Sequence, residues 1–258
     1  MSKNIPNKKI YGMVISYKSS PVLQDLYERI NHDNFDKIYF FDDNSPDDSA
    51  EKAKKFDWIV IENEKNLGHG GNLKKALKTV FDDGADYGVE IHADNQYSPN
   101  EVEKAKEMIE KDYDLIIGSR FKNKNPHKED GMPFIRYITN KFMSLMTSFL
   151  FRIKLTEFHT GCKIFSKDFY NSIPINNTSN DYLFSFEIIL QASYFKKKYD
   201  EISISSSYEG YKTSCNYTNG LIYLLGNFKL MLLYFLSKIN IIKSKTFMDN
   251  RWLKKELF

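Results

Sequence analysis

Up to Phe121 the chain alternates short apolar runs with longer amphipathic stretches. Lys9 to Tyr17 reads as a first strand carrying Ile10, Val14 and Ile15, and Pro21 then opens a helix to about Asn31. Lys37 to Phe41 and Trp58 to Ile61 read as the second and third strands, with a short helix between them. A glycine-rich loop and a helix to about Asp83 follow. Tyr87 to Ile91 is the fourth strand, residues 99–111 a helix that Pro99 opens, and Leu115 to Gly118 the fifth strand. Such alternation predicts an α/β chain with a doubly wound, mainly parallel sheet flanked by helices.

After Phe121 the rhythm changes. Lys122 to Pro133 is a polar loop, and residues 134–153 read as a helix in which Ile135, Ile138, Phe142, Leu145 and Phe149 keep a 3–4 spacing. A polar hook at Glu157 to Lys163, a helix at 181–195 and a strand near 201–205 come next. Last is a very apolar helix, about Leu221 to Ile239, with a basic tail. The expected division is a main domain over 1–215 and a C-terminal helix with tail over 216–258.

Composition narrows the function classes. Hydrophobic content of 41% and charged content of 28% are ordinary for a globular protein, and a net charge of +3 is too mild to argue for a nucleic-acid partner. Cys162 and Cys215 fit no zinc spacing and imply no disulfide framework. The first ten residues are polar and lysine-bearing, so the expected location is the cytoplasm.

The chemistry collects where strands end. Asp42-Asp43, Asn66 to Asn72, Asp94 with Gln96, and Ser119-Arg120 each follow an apolar strand. In a parallel sheet all four fall on one edge, where open α/β sheets bind ligands. If the chain stays extended, His92, Asp94 and Gln96 share a face. Carboxylate and amide oxygens suit a hard divalent ion holding phosphates. The glycine loop lacks the Lys-Ser/Thr ending of a P-loop, which disfavours ATPase chemistry.

Taken in order, the motifs resemble the family-2 glycosyltransferases of GT-A fold, in particular the dolichyl- or polyprenyl-phosphate sugar synthase branch. The resemblance covers roughly residues 8–215. It rests on Ile15-Ser16-Tyr17, Asp42 to Asp47, Asn66-x-Gly68, His92 to Pro99, Gly118 to Phe121, Arg136 with Asn140, and Thr160 to Lys163. It implies that Tyr17 and Asp43, with Asp42, hold the base of a UDP or GDP sugar donor near Asn66. Asp94 and Gln96 would bind Mg²⁺ or Mn²⁺ across the donor diphosphate. Arg120, Arg136 and Lys163 would face phosphate.

Several positions depart from that pattern. His92 stands where the family has a first acid, and two readings stand: a metal ligand, or a ring touching the sugar or satisfied at the sheet edge. Lys163 replaces an arginine. The acceptor is a polyprenyl phosphate, which needs no base, or a saccharide hydroxyl, which does. Asp181 is the candidate base, its alternative reading being an N-cap for the helix after it. Lys212 would reach donor phosphates or lie in a solvated loop. A non-catalytic nucleotide-sugar-binding module is the remaining alternative. The C-terminal helix, with the lysines after it, fits an anchor on the inner face of the plasma membrane, or else a core or homo-oligomer contact.

Overall fold

The computed structural model describes residues 8–208 and 217–248. Its strands are β1 (Ile10–Ser16), β2 (Lys37–Asp42), β3 (Ile59–Glu62), β4 (Tyr87–His92), β5 (Leu115–Ser119), β6 (Lys163–Ser166) and β7 (Tyr199–Ser203). They form one sheet in the order β3-β2-β1-β4-β6-β5-β7. The helices are α1 (Leu23–Arg29), α2 (Ser49–Ala53), α3 (His69–Asp82), α4 (Val102–Glu110), α5 (Pro126–Glu129), α6 (Phe134–Phe151), α7 (Lys167–Ser172), α8 (Phe184–Tyr194) and α9 (Tyr217–Lys238).

The central strands are apolar on both faces because helices cover both. Alternate residues divide the core in two. Tyr11, Met13, Tyr39 and Phe41 meet Leu73, Leu77 and Val80 of α3 and the buried side of α8. Ile10, Val14, Ile38 and Phe40 meet Leu23 and Leu26 of α1 and Val102, Ala105 and Ile109 of α4. The register pairs Met13 with Glu90 and Ile15 with His92, so both polar residues lie on the α3 side.

The sheet departs from the sequence reading in β6, a strand of four residues too short to signal itself. β6 runs antiparallel to both β4 and β5, which leaves β5 parallel to β4. The hook before β6 therefore arrives at the edge where β1, β2, β4 and β5 end. Pro99 lies ahead of α4 rather than in its first turn. In α6 the spaced apolar stripe faces outward: Ile135, Ile138, Phe142, Leu145 and Phe149 are 47–83% exposed. Lys212 lies outside the described residues.

Candidate active site

The aspartate pair at the end of β2 divides its work. Both carboxylates are buried. Asp43 accepts hydrogen bonds from Leu67 N at 2.7 Å, Gly68 N at 2.9 Å and Asn63 Nδ2 at 2.9 Å, so it builds the glycine-rich loop. Asp42 accepts from Ser45 N through Oδ2, while Oδ1 is buried with no hydrogen-bond partner among the described residues. Asn66 is exposed and donates to the Asp43 carbonyl at 3.2 Å. Tyr17, 43% exposed, stands at the same edge. The glycines serve close packing. A Cβ on Gly68 would lie 2.6 Å from the Asn180 carbonyl, and one on Gly70 2.5 Å from that of Ser179. The start of α3 is thereby pressed against the segment carrying Asp181.

The hook after β4 does not stay extended. Asn95 takes a left-handed φ of 58°, and Asp94 Oδ1 accepts from Gln96 N at 3.1 Å. Asn95 donates to Asp25 at 2.7 Å, and the Gln96 carbonyl accepts from Ser207 N at 2.8 Å, which ties the hook to α1 and to the chain beyond β7. Asp94, Asn95 and Gln96 keep partial exposure.

Beneath the hook is a cluster that the motif reading passed over. His92 Nε2 lies 2.9 Å and His69 Nε2 3.5 Å from Glu90 Oε1, and Lys163 Nζ lies 4.0 Å from Glu90 Oε2. Burial opposes ionisation of Glu90, but the neighbouring Lys163 and His92 outweigh it and hold its pKa below the usual range. Burial likewise opposes the charge on His92, and the bond to Glu90 overcomes it, raising the pKa. At His69 burial outweighs the attraction of Glu90 and lowers the pKa to about 4. Gly161 lets the chain lie flat on the His92 ring, since a Cβ there would be 2.2 Å from Cε1. Glu90 and His92 are two apart on a strand, a spacing that already places them on one face.

Two donor sets could hold a cation. The ligand atoms of His69, Glu90 and His92 lie within 4.8 Å of one another. In that cluster Glu90 Oε1 is paired with His92, while Oε2 is buried without a hydrogen-bond partner among the described residues, 4.0 Å from Lys163 Nζ. Asp94 and Gln96, half-exposed at the edge with His92 beside them, offer the oxygen donors that Mg²⁺ or Mn²⁺ prefers. The buried cluster by contrast offers two imidazoles and one carboxylate.

Arg120 is placed differently from the expectation of a phosphate-facing side chain. It is 3% exposed, and its guanidinium is committed to Glu157 through Nε and Nη2, to Tyr208 Oη at 2.7 Å and to the His159 carbonyl. Burial opposes its charge; Glu157 more than compensates and raises the pKa well above the usual value. Lys163, also expected at phosphate, is fully buried and donates to the Thr160 carbonyl. Arg136, in the first turn of α6, stays half-exposed with its guanidinium 5.8 Å from the Tyr208 ring centre. Asp181 is exposed and accepts from Leu183 N at 2.8 Å, forming a turn just before α8. Glu157, Tyr208, His69 and Glu90 are the residues that motif reading left out.

The family model for glycosyl transferase family 2 matches residues 13–173. The chain is 26% identical over 223 residues to the UDP-N-acetylglucosamine–dolichyl-phosphate N-acetylglucosaminyltransferase of Methanococcus voltae, covering 80% of this chain and 88% of that protein. It is 29% identical over 141 residues to the dolichol-phosphate mannosyltransferase of Pyrococcus furiosus, covering 52% of this chain and 38% of the other. Among solved structures, glucosyl-3-phosphoglycerate synthase from Mycobacterium tuberculosis, in complex with Mn²⁺, UDP and glucosyl-3-phosphoglycerate, superimposes with a TM-score of 0.65. At 13% identity, over 92% of this chain and 82% of that one, this likeness concerns the fold.

Proposed function

We propose, from the premise that the chain belongs to glycosyl transferase family 2, that this glycosyltransferase moves a sugar from a nucleotide-diphosphate donor to a polyprenyl phosphate. One observation carries the reading: the segments bearing Asp42 and Asp43, Asp94 to Gln96, and the hook ahead of β6 all lie at one sheet edge. The acceptor class follows the relatives, two of which are named for dolichyl-phosphate or dolichol-phosphate substrates. UDP is the first nucleotide to test, since the mycobacterial neighbour is described with it.

Asp94 and Gln96 would hold Mg²⁺ or Mn²⁺, with His92 beside them; when bound, such an ion neutralises charge developing on a leaving diphosphate. The remaining work belongs to this chain's side chains. Tyr17 offers a ring to the base, and the unpartnered Oδ1 of Asp42 offers an acceptor for a base N–H. Asp43 holds the loop beside them. Arg136 is the accessible cation for acceptor phosphate, while Arg120 positions the 157–163 hook through Glu157. An oxygen of the acceptor phosphate forms a bond to the anomeric carbon. The bond from that carbon to the donor diphosphate breaks, and its electron pair leaves with the nucleoside diphosphate. No proton has to be removed, which suits an Asp181 already engaged with Leu183 N.

The test is nucleoside-diphosphate release from UDP- and GDP-sugars with polyprenyl phosphate, with and without Mn²⁺, for wild type and Asp94→Ala. Release that needs lipid and metal and disappears in the variant supports the reading. Release with a saccharide in place of the lipid overturns the acceptor, and donor binding without turnover on any acceptor overturns the enzyme.

A further inference from the structure

Helices α6 and α9 lie against one another through Thr147 and Met231, and through the rings of Phe151 and Tyr234 at 4.5 Å. Each turns its more apolar side away from the protein. Beneath α6 lie Met143, Ser144 and Thr147; outside lie Ile135, Leu145 and Phe149 at 68%, 62% and 83% exposure. Beneath α9 lie Asn227, Leu230, Met231, Tyr234 and Ser237; outside lie Leu225, Leu232 and Phe235 at 60%, 58% and 54%. A surface this apolar on two adjacent helices of 18 and 22 residues far exceeds the scattered exposure normal for a soluble face.

The charges on the same elements have one sign. Residues 131–156 and 217–248 contain no Asp or Glu. Lys141, Arg152 and Lys154 are exposed on and after α6, as are Lys229, Lys238, Lys243 and Lys245 on and after α9.

We propose that the joint outer face of α6 and α9 is a docking surface for an anionic lipid bilayer, with the apolar side chains among the acyl chains and the basic rim at the headgroups. This surface goes beyond the reading of the reaction and does not depend on it. The pattern is that of helices lying in the interface plane. A second copy is a poorer occupant, because a two-fold interface sets each basic rim against its own copy. A span is also a poorer fit, because Leu230, Met231 and Tyr234 keep the inner side of α9 in the protein core. The face adjoins the candidate active site: Tyr223 of α9 is hydrogen-bonded to His159 at 3.0 Å, and Arg136 lies in the first turn of α6.

The experiment is flotation of the full chain with phosphatidylglycerol vesicles and with phosphatidylcholine vesicles, beside light scattering of the protein alone. Expected are a monomer and salt-sensitive binding to the anionic vesicles. Lys141→Gln with Lys154→Gln should weaken it about fivefold per charge removed. Leu145→Ser with Phe149→Ser should weaken it tenfold or more while leaving the melting temperature near wild type. Absence of flotation overturns the proposal, as does a dimer that the serine pair dissociates, which would make the face a contact between copies.

Discussion

Replacing Glu157 by glutamine tests whether the Arg120 charge is spent inside the protein. The two side chains are 4% and 0% exposed, and Glu157 also accepts from the Arg120 backbone N at 2.7 Å. The substitution removes the negative charge and turns one acceptor oxygen into a donor facing a guanidinium. Breaking one side of a buried pair is worth about 3–5 kcal/mol, because the other charge stays uncompensated. For a chain of this size that lowers the melting temperature by roughly 6–20 °C. The assay is urea denaturation of wild type, Glu157→Gln, Arg120→Met and the double variant Arg120→Met/Glu157→Leu. The double variant should lose much less than the sum of the single ones, since apolar replacement of both partners removes the stranded charge. A Glu157→Gln protein within about 1 kcal/mol of wild type, or additive losses, would refute the pairing and return Arg120 to the phosphates.

Two further consequences follow from the cluster beneath the β4 hook and its neighbour His159. Gly161→Ala should destabilise by about 1–3 kcal/mol in the same denaturation assay, because the new methyl meets a His92 ring held by Glu90. An unchanged midpoint would mean that the ring is free to move. Acid should also destabilise the fold. Burial lowers His69 to about 4 and His159 to about 3, so below the unfolded value of about 6.5 the unfolded chain binds more protons. The stability these two contribute is present above pH 6.5 and is lost as pH falls. At about 1.4 kcal/mol per histidine per pH unit, going from pH 7 to 5 removes roughly 4 kcal/mol. The raised pKa of His92 works the other way and reduces the net. Melts of His159→Gln should show a shallower acid slope, and an unaltered slope would contradict the assignment.

Why some of this was legible in the sequence and some was not comes down to the range over which each signal acts. Strands β1, β2, β4 and β5 are continuous apolar runs ended by polar hooks, and both signals are local. The antiparallel β6 is four residues long and depends on pairing with two distant strands, which no local pattern carries. The apolar stripe on α6 was visible, but spacing fixes only that one side differs from the other. Which side faces the core depends on what covers it, and here the inner side carries Ser144 and Thr147.

The site shows the same limit in its charges. A motif identifies an arginine or a lysine as suited to phosphate, but not whether a carboxylate elsewhere has already claimed it. Arg120 meets Glu157 only because the hook ahead of β6 returns to the edge where β5 ends, and Lys163 meets Glu90 because β6 lies beside β4. Buried cations stranded by desolvation need such partners, so two of the expected phosphate contacts become the supports of the hooks. Of the acids that capture them, Glu90 sits inside an apolar run, Val-Glu-Ile, whereas Glu157 stands at the start of a polar hook, in Thr-Glu-Phe-His. A charged residue in an apolar run has a partner or a function, and that is the signal from which Glu90 could have been found, while nothing local marks Glu157. Arg136, by contrast, meets the Tyr208 ring and no carboxylate among the described residues, so the role proposed for it at an acceptor phosphate conflicts with no pairing found there.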